Sequence, residues 1–585
     1  MLRNIAVIGL SLALIACSRG SKDDLASLRE EFVYQALAFS PSSATQAGYH
    51  EHKGARLSQM LDDYSEPALE AQRRFYRDFQ ARLERAVKAG RLSAEDGADY
   101  SLLQNQASLQ LLELDEIQNY RHNPTLYVEM IGTSLFNPLV LEYAPKPDRF
   151  RDIIGRLEKI PAAIGQAKQN LVSAPEIWTT VALEENDGNL ALIDSTLRKE
   201  VPSELKTAYD EAAGPALTAL RDFNNYLKNE LAKRPNDWRL GKEKYAKKFR
   251  LALASSRTPE EVLEAAEKEI KLARRQMWDL ALPLHSKWFP THRDPVDLNL
   301  IVGEVLDKIA EKRSTPATFV EDAKRGLEEA REFVRTRNLV PLPPRDNLQV
   351  IETPEFLRGI YAVAGFAPAP ALQPQLGAFY WITPIPKDWP RARIDSKLRE
   401  YNQFSLKLVA IHEAMPGHYV QLEYSNELQP LSRRILRTVF GSGTYVEGWA
   451  VYATEMLLDE GFLDGSPELR LTFLKQQLRM LANAVLDIRL QTMQMSDDEA
   501  MQLMTRQCFQ ETEEATAKLR RAKLSSAQLP TYYVGYRDWK ELRAQIQQSR
   551  GGNFNLAEFH RQALAPGAAP LSSLAGILGV KPGTP

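Results

Sequence analysis

Cysteine is nearly absent, with two in 585 residues. That excludes a disulfide framework and a cysteine-rich metal scaffold. No charge of one sign predominates: Lys plus Arg number 74 against 76 Asp plus Glu, a formal net charge of −2, and no basic block gathers them. Without a cationic stripe to follow phosphates, nucleic acid is not expected as a partner. Long apolar runs are scarce as well. Past the N-terminus nothing approaches the roughly 18 consecutive apolar residues of a spanning helix. No repeat of fixed period occurs, which argues against a solenoid. What is present, 44% hydrophobic and 26% charged residues, suits a folded chain with a large core.

The first residues read as an address. Met1-Leu2-Arg3 gives a short positive start, and Ile5 to Ala16 is an apolar run too short to span a bilayer permanently. It ends Leu14-Ile15-Ala16-Cys17, which resembles a bacterial lipoprotein processing box with Cys17 as the lipidated residue. An ordinary secretory signal with an incidental cysteine is the alternative. Acyl chains on Cys17 would hold the protein to a membrane at ~0.8 kcal/mol per buried methylene. Ser18 follows where aspartate would mark inner-membrane retention. The expectation is an outer-membrane lipoprotein facing the periplasm. Cys508 then stands alone and is expected as a small buried apolar residue.

From Asp23 onward apolar residues recur at three and four. Leu102, Leu103, Leu109, Leu111 and Leu112 make one such face; Leu263, Ala266, Ile270 and Ala273 make another. Breakers fall between the runs, at Pro41-Ser42-Ser43, Asn236-Asp237, Pro290-Thr291, Pro341 to Pro344 and Gly461 to Pro467. Thr258-Pro259-Glu260-Glu261 and Ser466-Pro467-Glu468 carry helix-start signals. Two segments break the helical rhythm. Leu348 to Glu352 and Phe379 to Thr383 read as short strands, the second placed at a sheet edge because Pro384 and Pro386 crowd its end. The fold class is mainly α, multi-helical, with a small β-sheet near the site. The chain divides into a signal segment 1–16, an N-terminal helical lobe 17–240 and a catalytic lobe 241–585. The first lobe is expected as a wall of a cleft, since no Pro/Gly/Ser-rich linker detaches it.

Two of only eight histidines lie within seven residues, in Ile411-His412-Glu413-Ala414-Met415-Pro416-Gly417-His418. A hydrolytic zinc site needs three protein ligands and an open position. The familiar His-Glu-x-x-His spacing places two imidazoles one helical turn apart, with the glutamate beside the metal. Here the second histidine comes at six. On a regular helix that separates the rings by about 120° and ~9 Å along the axis. A shared metal therefore requires the backbone to bend at Met415-Pro416-Gly417, where proline removes a donor and glycine permits unusual dihedrals. The alternative is a helix that simply ends at Pro-Gly. A third ligand candidate, Glu447, opens a later helix and is followed by Gly448 and Ala450, small enough for close helix approach. Thr444-x-x-Glu447 is also a capping box, which leaves a purely structural role open.

His412-Glu413-x-x-Pro416-Gly417-His418 followed by Glu447-Gly448-Trp449-Ala450 and Tyr452 resembles the bacterial family DUF885. Ala44 to His50 and Pro530-Thr531-Tyr532-Tyr533-Val534-Gly535 resemble weaker signatures of the same family. The resemblance implies a zincin-like metallopeptidase with a deep cleft. By position, His412, His418 and Glu447 become ligands of Zn2+ and Glu413 the general base. One stretch departs from the pattern. Many relatives have Asp-x-Gly-x-His where this chain has Asp487-Ile488-Arg489-Leu490-Gln491, so any role of that histidine in the transition state is in doubt. Gln491 could donate a hydrogen bond but no proton. Arg489 is either a clamp for a substrate carboxylate or a solvated charge on a helix.

The expected activity is hydrolysis of short peptides, in the manner of a carboxypeptidase or dipeptidase. Glu413 would take a proton from water and pass it to the leaving amine. Tyr532, or Tyr533 as the alternative, would stabilise the oxyanion, and the strand at Tyr380-Trp381-Ile382 could align an extended peptide. A metal amidase acting on cell-wall peptides is a second reading. A non-catalytic peptide-binding lipoprotein with a structural metal is a third.

Overall fold

The computed structural model describes residues 24–88, 92–292, 297–353, 358 and 363–580. The signal segment 1–16 and Cys17 lie outside the described residues. Helices dominate, as the three-and-four spacing predicts. Leu263, Ala266, Ile270 and Ala273 are all buried. In the Leu102 stripe only Leu102, Leu103 and Leu112 are, alongside Ala98, Asp99 and Ala107.

In the N-terminal half, helices Leu25–Phe39, Glu66–Lys88 and Ala94–Leu112 pack around Leu28, Phe32, Leu69, Phe79 and Leu103. Helices from Thr125–Val140 to Lys206–Asn229 surround a second core that includes Ile131, Phe150, Ile164 and Phe223. The first of these cores also takes in Ile435 and Leu436, from a helix (Leu431–Val439) far along the chain. An ion cluster reinforces that seam. The buried Asp99 carboxylate accepts from Arg29 at 2.7 Å, Arg433 at 2.7 Å and Arg437 at 2.9 Å. A buried carboxylate is tolerated only when its partners satisfy it, so removing one of these arginines would loosen the two halves.

The C-terminal half holds His412, Glu413, His418 and Glu447. Helix α1 (Pro259–Trp288) starts where the sequence signals it, with a complete capping box: Thr258 Oγ1 accepts from the Glu261 N–H and Glu261 accepts from the Thr258 N–H. Helices α2 (Leu298–Ile309) and α3 (Phe319–Arg337) follow. Next comes a three-stranded sheet of β1 (Leu348–Glu352), β2 (Ala364–Ala367) and β3 (Ala378–Ile382). Its order is β1-β3-β2, with β1 parallel and β2 antiparallel to β3. The aromatic strand is therefore central, not at the edge. Its prolines follow the strand and take no place in the ladder, and its uninterrupted apolar run reflects burial on both faces. The sheet edge beside the site is β2, a short strand containing glycine.

Beyond the sheet run α4 (Gln403–Glu413), α5 (His418–Ser425), α6 (Gly443–Asp459), α7 (Pro467–Thr492), α8 (Thr512–Leu524) and α9 (Pro530–Arg550). They share one large core with α1 to α3 and the sheet. Cys508 is fully buried within it, and burial pushes its thiol up to about 12. Among the described residues no helix is long and apolar enough to cross a membrane.

Candidate metal centre

Helix α4 is capped by Asn402, whose side chain accepts from the N–H groups of Phe404 and Ser405. It stops at Glu413. The Met415 N–H then bonds the Ala410 carbonyl at 3.2 Å and the Gly417 N–H bonds the Ile411 carbonyl at 3.0 Å. The turn thus widens from a step of four residues to five and then six, which is the bend that the six-residue histidine spacing demands. Only glycine fits at 417, because a Cβ there would overlap the carbonyl oxygens of Ile411 and His412. Helix α5 starts at His418 itself. The His412 and His418 rings end with centroids 4.8 Å apart and planes at 82°.

Glu447 lies just past the first turn of α6. The capping-box role does not hold for it: Ser442 caps the helix by accepting from the Tyr445 N–H, while Thr444 Oγ1 donates to the Leu253 carbonyl. Glu447 is left to face the histidines. Its Oε2 lies 3.7 Å from His412 Nε2 and 3.4 Å from His418 Nε2. One donor atom from each of the three residues falls within 4.8 Å of the others. Glu447 Oε2 and His418 Nδ1 are buried without a hydrogen-bond partner. Ligands at the ~2.0–2.1 Å of zinc stand roughly 3.4 Å apart in a tetrahedron, close to the 3.4 and 3.7 Å that separate Glu447 from the two imidazoles. Burial pushes the Glu447 carboxyl up, but the two imidazoles facing it prevail and hold it well below the usual carboxylate range.

The residues around the centre fix its parts. Trp449, two positions after Glu447, donates from Nε1 to the Pro416 carbonyl at 2.8 Å, which ties α6 to the apex of the bend. Behind it, Tyr452, Trp539 and His560 pack with ring centroids 5.1–5.6 Å from Trp449. Tyr452 and His560 share a 2.8 Å hydrogen bond, and His560 Nδ1 meets the Leu339 carbonyl at 2.7 Å. Trp539 and His560 had no sequence signal, because each lies some ninety residues or more from its partner.

Glu413 ends α4, half-buried, and its charge is felt at His418 and at Tyr380 of β3. The two tyrosine candidates part company. Tyr532 stacks on His412 at 6.4 Å and 18°, and its hydroxyl is pushed up to about 12 by burial and then by the Glu447 charge, with Arg521 opposing. Tyr533 points elsewhere on α9, donating to Glu269 of α1 at 2.7 Å. Both lie in the first turn of α9. Phe366 of β2 stacks on His418 at 6.5 Å and 24°.

The departing stretch on α7 is occupied structurally. Gln491 accepts from the Leu240 N–H at 2.9 Å and donates to the Ser525 carbonyl at 3.2 Å. Arg489 pairs with Glu267 at a part-exposed position. Asp487 is fully buried, accepting from the Tyr245 hydroxyl at 2.6 Å and the Ala527 N–H at 2.8 Å. One further residue had not been singled out. Lys518 on α8 is 5% exposed, and among the described residues its ammonium makes no hydrogen bond or ion pair. Burial, Arg479 and Arg521 drive its pKa well below the usual value, and Glu514 and Glu447 pull against them.

Solved structures resemble the whole chain. A protein from Shewanella oneidensis, described as a candidate lipoprotein of unknown function, is 29% identical with a TM-score of 0.79; the match covers 95% of this chain and 99% of that one. A candidate lipoprotein from Colwellia psychrerythraea is 17% identical with a TM-score of 0.77, over 95% of this chain and 98% of the other. No curated protein matches the sequence. Residues 41–578 match the model of the bacterial proteins of unknown function DUF885, and the chain belongs to that family.

Proposed function

We propose that this protein is a lipid-anchored, zinc-dependent peptidase of zincin-like construction, hydrolysing short peptides in a cleft between its helical halves. The observation that carries the reading is the meeting of His412, His418 and Glu447 around one point, with Glu413 on the same bend. Three protein donors, not four, leave room for a substrate, which favours catalysis over a structural ion. Bound there, zinc would polarise a peptide carbonyl and bring the pKa of a coordinated water toward ~7.

The protein's own groups account for the rest. Glu413 accepts a proton from the attacking water and delivers it to the leaving amine. Tyr532 donates its hydroxyl hydrogen to the tetrahedral oxyanion; with its pKa up at about 12, that hydroxyl keeps its proton at neutral pH. An extended peptide pairing with the edge strand β2 would pass His418, since Phe366 stacks on that ring. Lys518, a buried amine with no hydrogen bond or ion pair of its own among the described residues, offers a donor to substrates that end in a free carboxylate. A lipid anchor on Cys17 is supported by the Leu14-Ile15-Ala16-Cys17 box and by the similarity to candidate lipoproteins, and Ser18 after the cysteine favours the outer membrane, facing the periplasm.

Glu413→Gln tests the reading. Metal content should stay unchanged while kcat/KM on a short-peptide library falls about 1,000-fold or more. Free-acid peptides should also be cut faster than their C-terminal amides. Full activity in the variant, or a wild-type protein that binds no metal, would overturn the assignment.

A further inference from the structure

Where α1 meets α2, a second group of metal-ligating side chains converges, built from none of the residues above. His285 lies in the last turn of α1 and is 1% exposed. Its carbonyl accepts from the Phe289 N–H at 2.8 Å, and the Phe289 carbonyl accepts from the His292 N–H at 3.0 Å. These two turns fold the chain back so that His292 returns to the side of α1 that bears His285. Phe289 fixes both rings, with centroids 5.1 Å from His285 and 5.3 Å from His292. Glu304, from the middle of α2, meets them. Its Oε2 is 2.6 Å from His285 Nε2 and 3.5 Å from His292 Nδ1. All three donor atoms lie within 4.8 Å of one another.

We infer that His285, His292 and Glu304 form a second metal site, for a borderline transition-metal dication such as Zn2+ or Cu2+. Two imidazoles with one carboxylate favour such ions over Mg2+ or Ca2+, which take oxygen ligands. At ~2.0–2.1 Å from zinc, ligand atoms stand roughly 3.4 Å apart. The 3.5 Å separation already matches, and the 2.6 Å one opens by less than an ångström on a glutamate that is 37% exposed. The ion would pin the end of α1 to α2 across the intervening turn. A simple hydrogen bond between His285 and Glu304 explains less, since it gives no reason for His292 Nδ1 to sit 3.5 Å from the same carboxylate oxygen. The site is a weak one. His285 Nδ1 is buried without a partner, so the metal-free ring carries its proton on Nε2, facing Glu304. Binding must move that proton to a nitrogen lacking an acceptor, which lowers affinity by about tenfold to a hundredfold.

The inference is independent of the His412 centre and is tested with that centre disabled. Full-length His412→Ala/Glu447→Gln protein, titrated with Zn2+ against a chelating dye, should still take up one equivalent. Adding His292→Ala and Glu304→Gln, both at part-exposed positions, should abolish that uptake with the circular dichroism unchanged. With Co2+ as a spectroscopic probe, the first protein should show d–d bands in the visible and the second none. The site is overturned if the first protein takes up no Zn2+, or if the second binds as much as the first. In the wild-type background His292→Ala should remove the weaker equivalent and leave peptide hydrolysis intact; a metal content the same as wild type would count against the site equally.

Discussion

Gly448 and Gly535 form the crossing point of the helices that bear Glu447 and Tyr532. A Cβ on Gly448 would lie 2.5 Å from the Gly535 Cα, and one on Gly535 would lie 2.9 Å from the Gly448 Cα while overlapping the Thr444 carbonyl oxygen. The obstructing atoms are backbone, so no side chain can swing aside. In an exposed helix Gly→Ala gains up to ~1 kcal/mol from propensity. Here overpacking costs about 1–3 kcal/mol or more and outweighs it. Gly448→Ala and Gly535→Ala should each lower the melting temperature and weaken zinc retention, as Glu447 is pushed off the histidines. Gly443→Ala is the control, because its Cβ meets only Thr531 Cγ2 at 3.7 Å. Equal melting temperatures for all three variants would remove the crossing as the cause.

How much of this was legible in the sequence follows from how local each signal is. The bend at Pro416-Gly417, the two cap-and-proline helix starts and strand β1 were readable, because each rests on neighbouring residues. Thr444-x-x-Glu447 left a structural role open because it fits a capping box, but Ser442 takes the cap two residues earlier. The position of β3 was misread because prolines just past a strand end look like prolines within an edge strand. Strand β2, Ala-Gly-Phe-Ala, has too little β-propensity to announce itself. Trp539, His560 and Lys518 act across long stretches of chain, and spacing along a sequence carries no record of such meetings.

Trp449 joins α6 to the bend through one hydrogen bond, to the Pro416 carbonyl. Trp449→Phe keeps most of the buried ring and strands that carbonyl. The expected loss is about 1–3 kcal/mol in stability. Zinc release to a competing chelator should accelerate as well, since the apex of the bend loses its tether. A variant that loses stability but releases zinc at the wild-type rate would show that Trp449 only packs.

Tyr532 and Tyr533 are adjacent, yet their partners predict opposite phenotypes. Tyr532→Phe removes a donor beside the proposed metal ligands, so kcat should fall about 100-fold while metal content and KM hold. Tyr533→Phe removes the 2.7 Å hydrogen bond to Glu269, so stability should drop by about 1 kcal/mol with little change in kcat. Steady-state kinetics with melting curves on both variants separate the two, and a reversed pattern would return the oxyanion role to Tyr533.

Asp487 makes stability depend on pH in a direction unusual for a carboxylate. Burial pushes its pKa from the ordinary 3.8 up to about 7, although the Tyr245 hydroxyl and the Ala527 N–H pull it down. Between those values the folded protein keeps a proton that the unfolded chain has released. Unfolding therefore sheds a proton, and stability falls as pH rises through that window. Below it both states are protonated, and above it the full cost of a buried carboxylate is in place. Asp487→Asn supplies a neutral side chain whose oxygen can still accept from Tyr245 and Ala527. Denaturant midpoints at about pH 5 and about pH 8 should show the variant close to wild type at the lower value and more stable than wild type at the higher. If the gap between the two proteins is the same at both, Asp487 is ionised throughout, and the buried end of α7 holds its charge by a balance other than the one described.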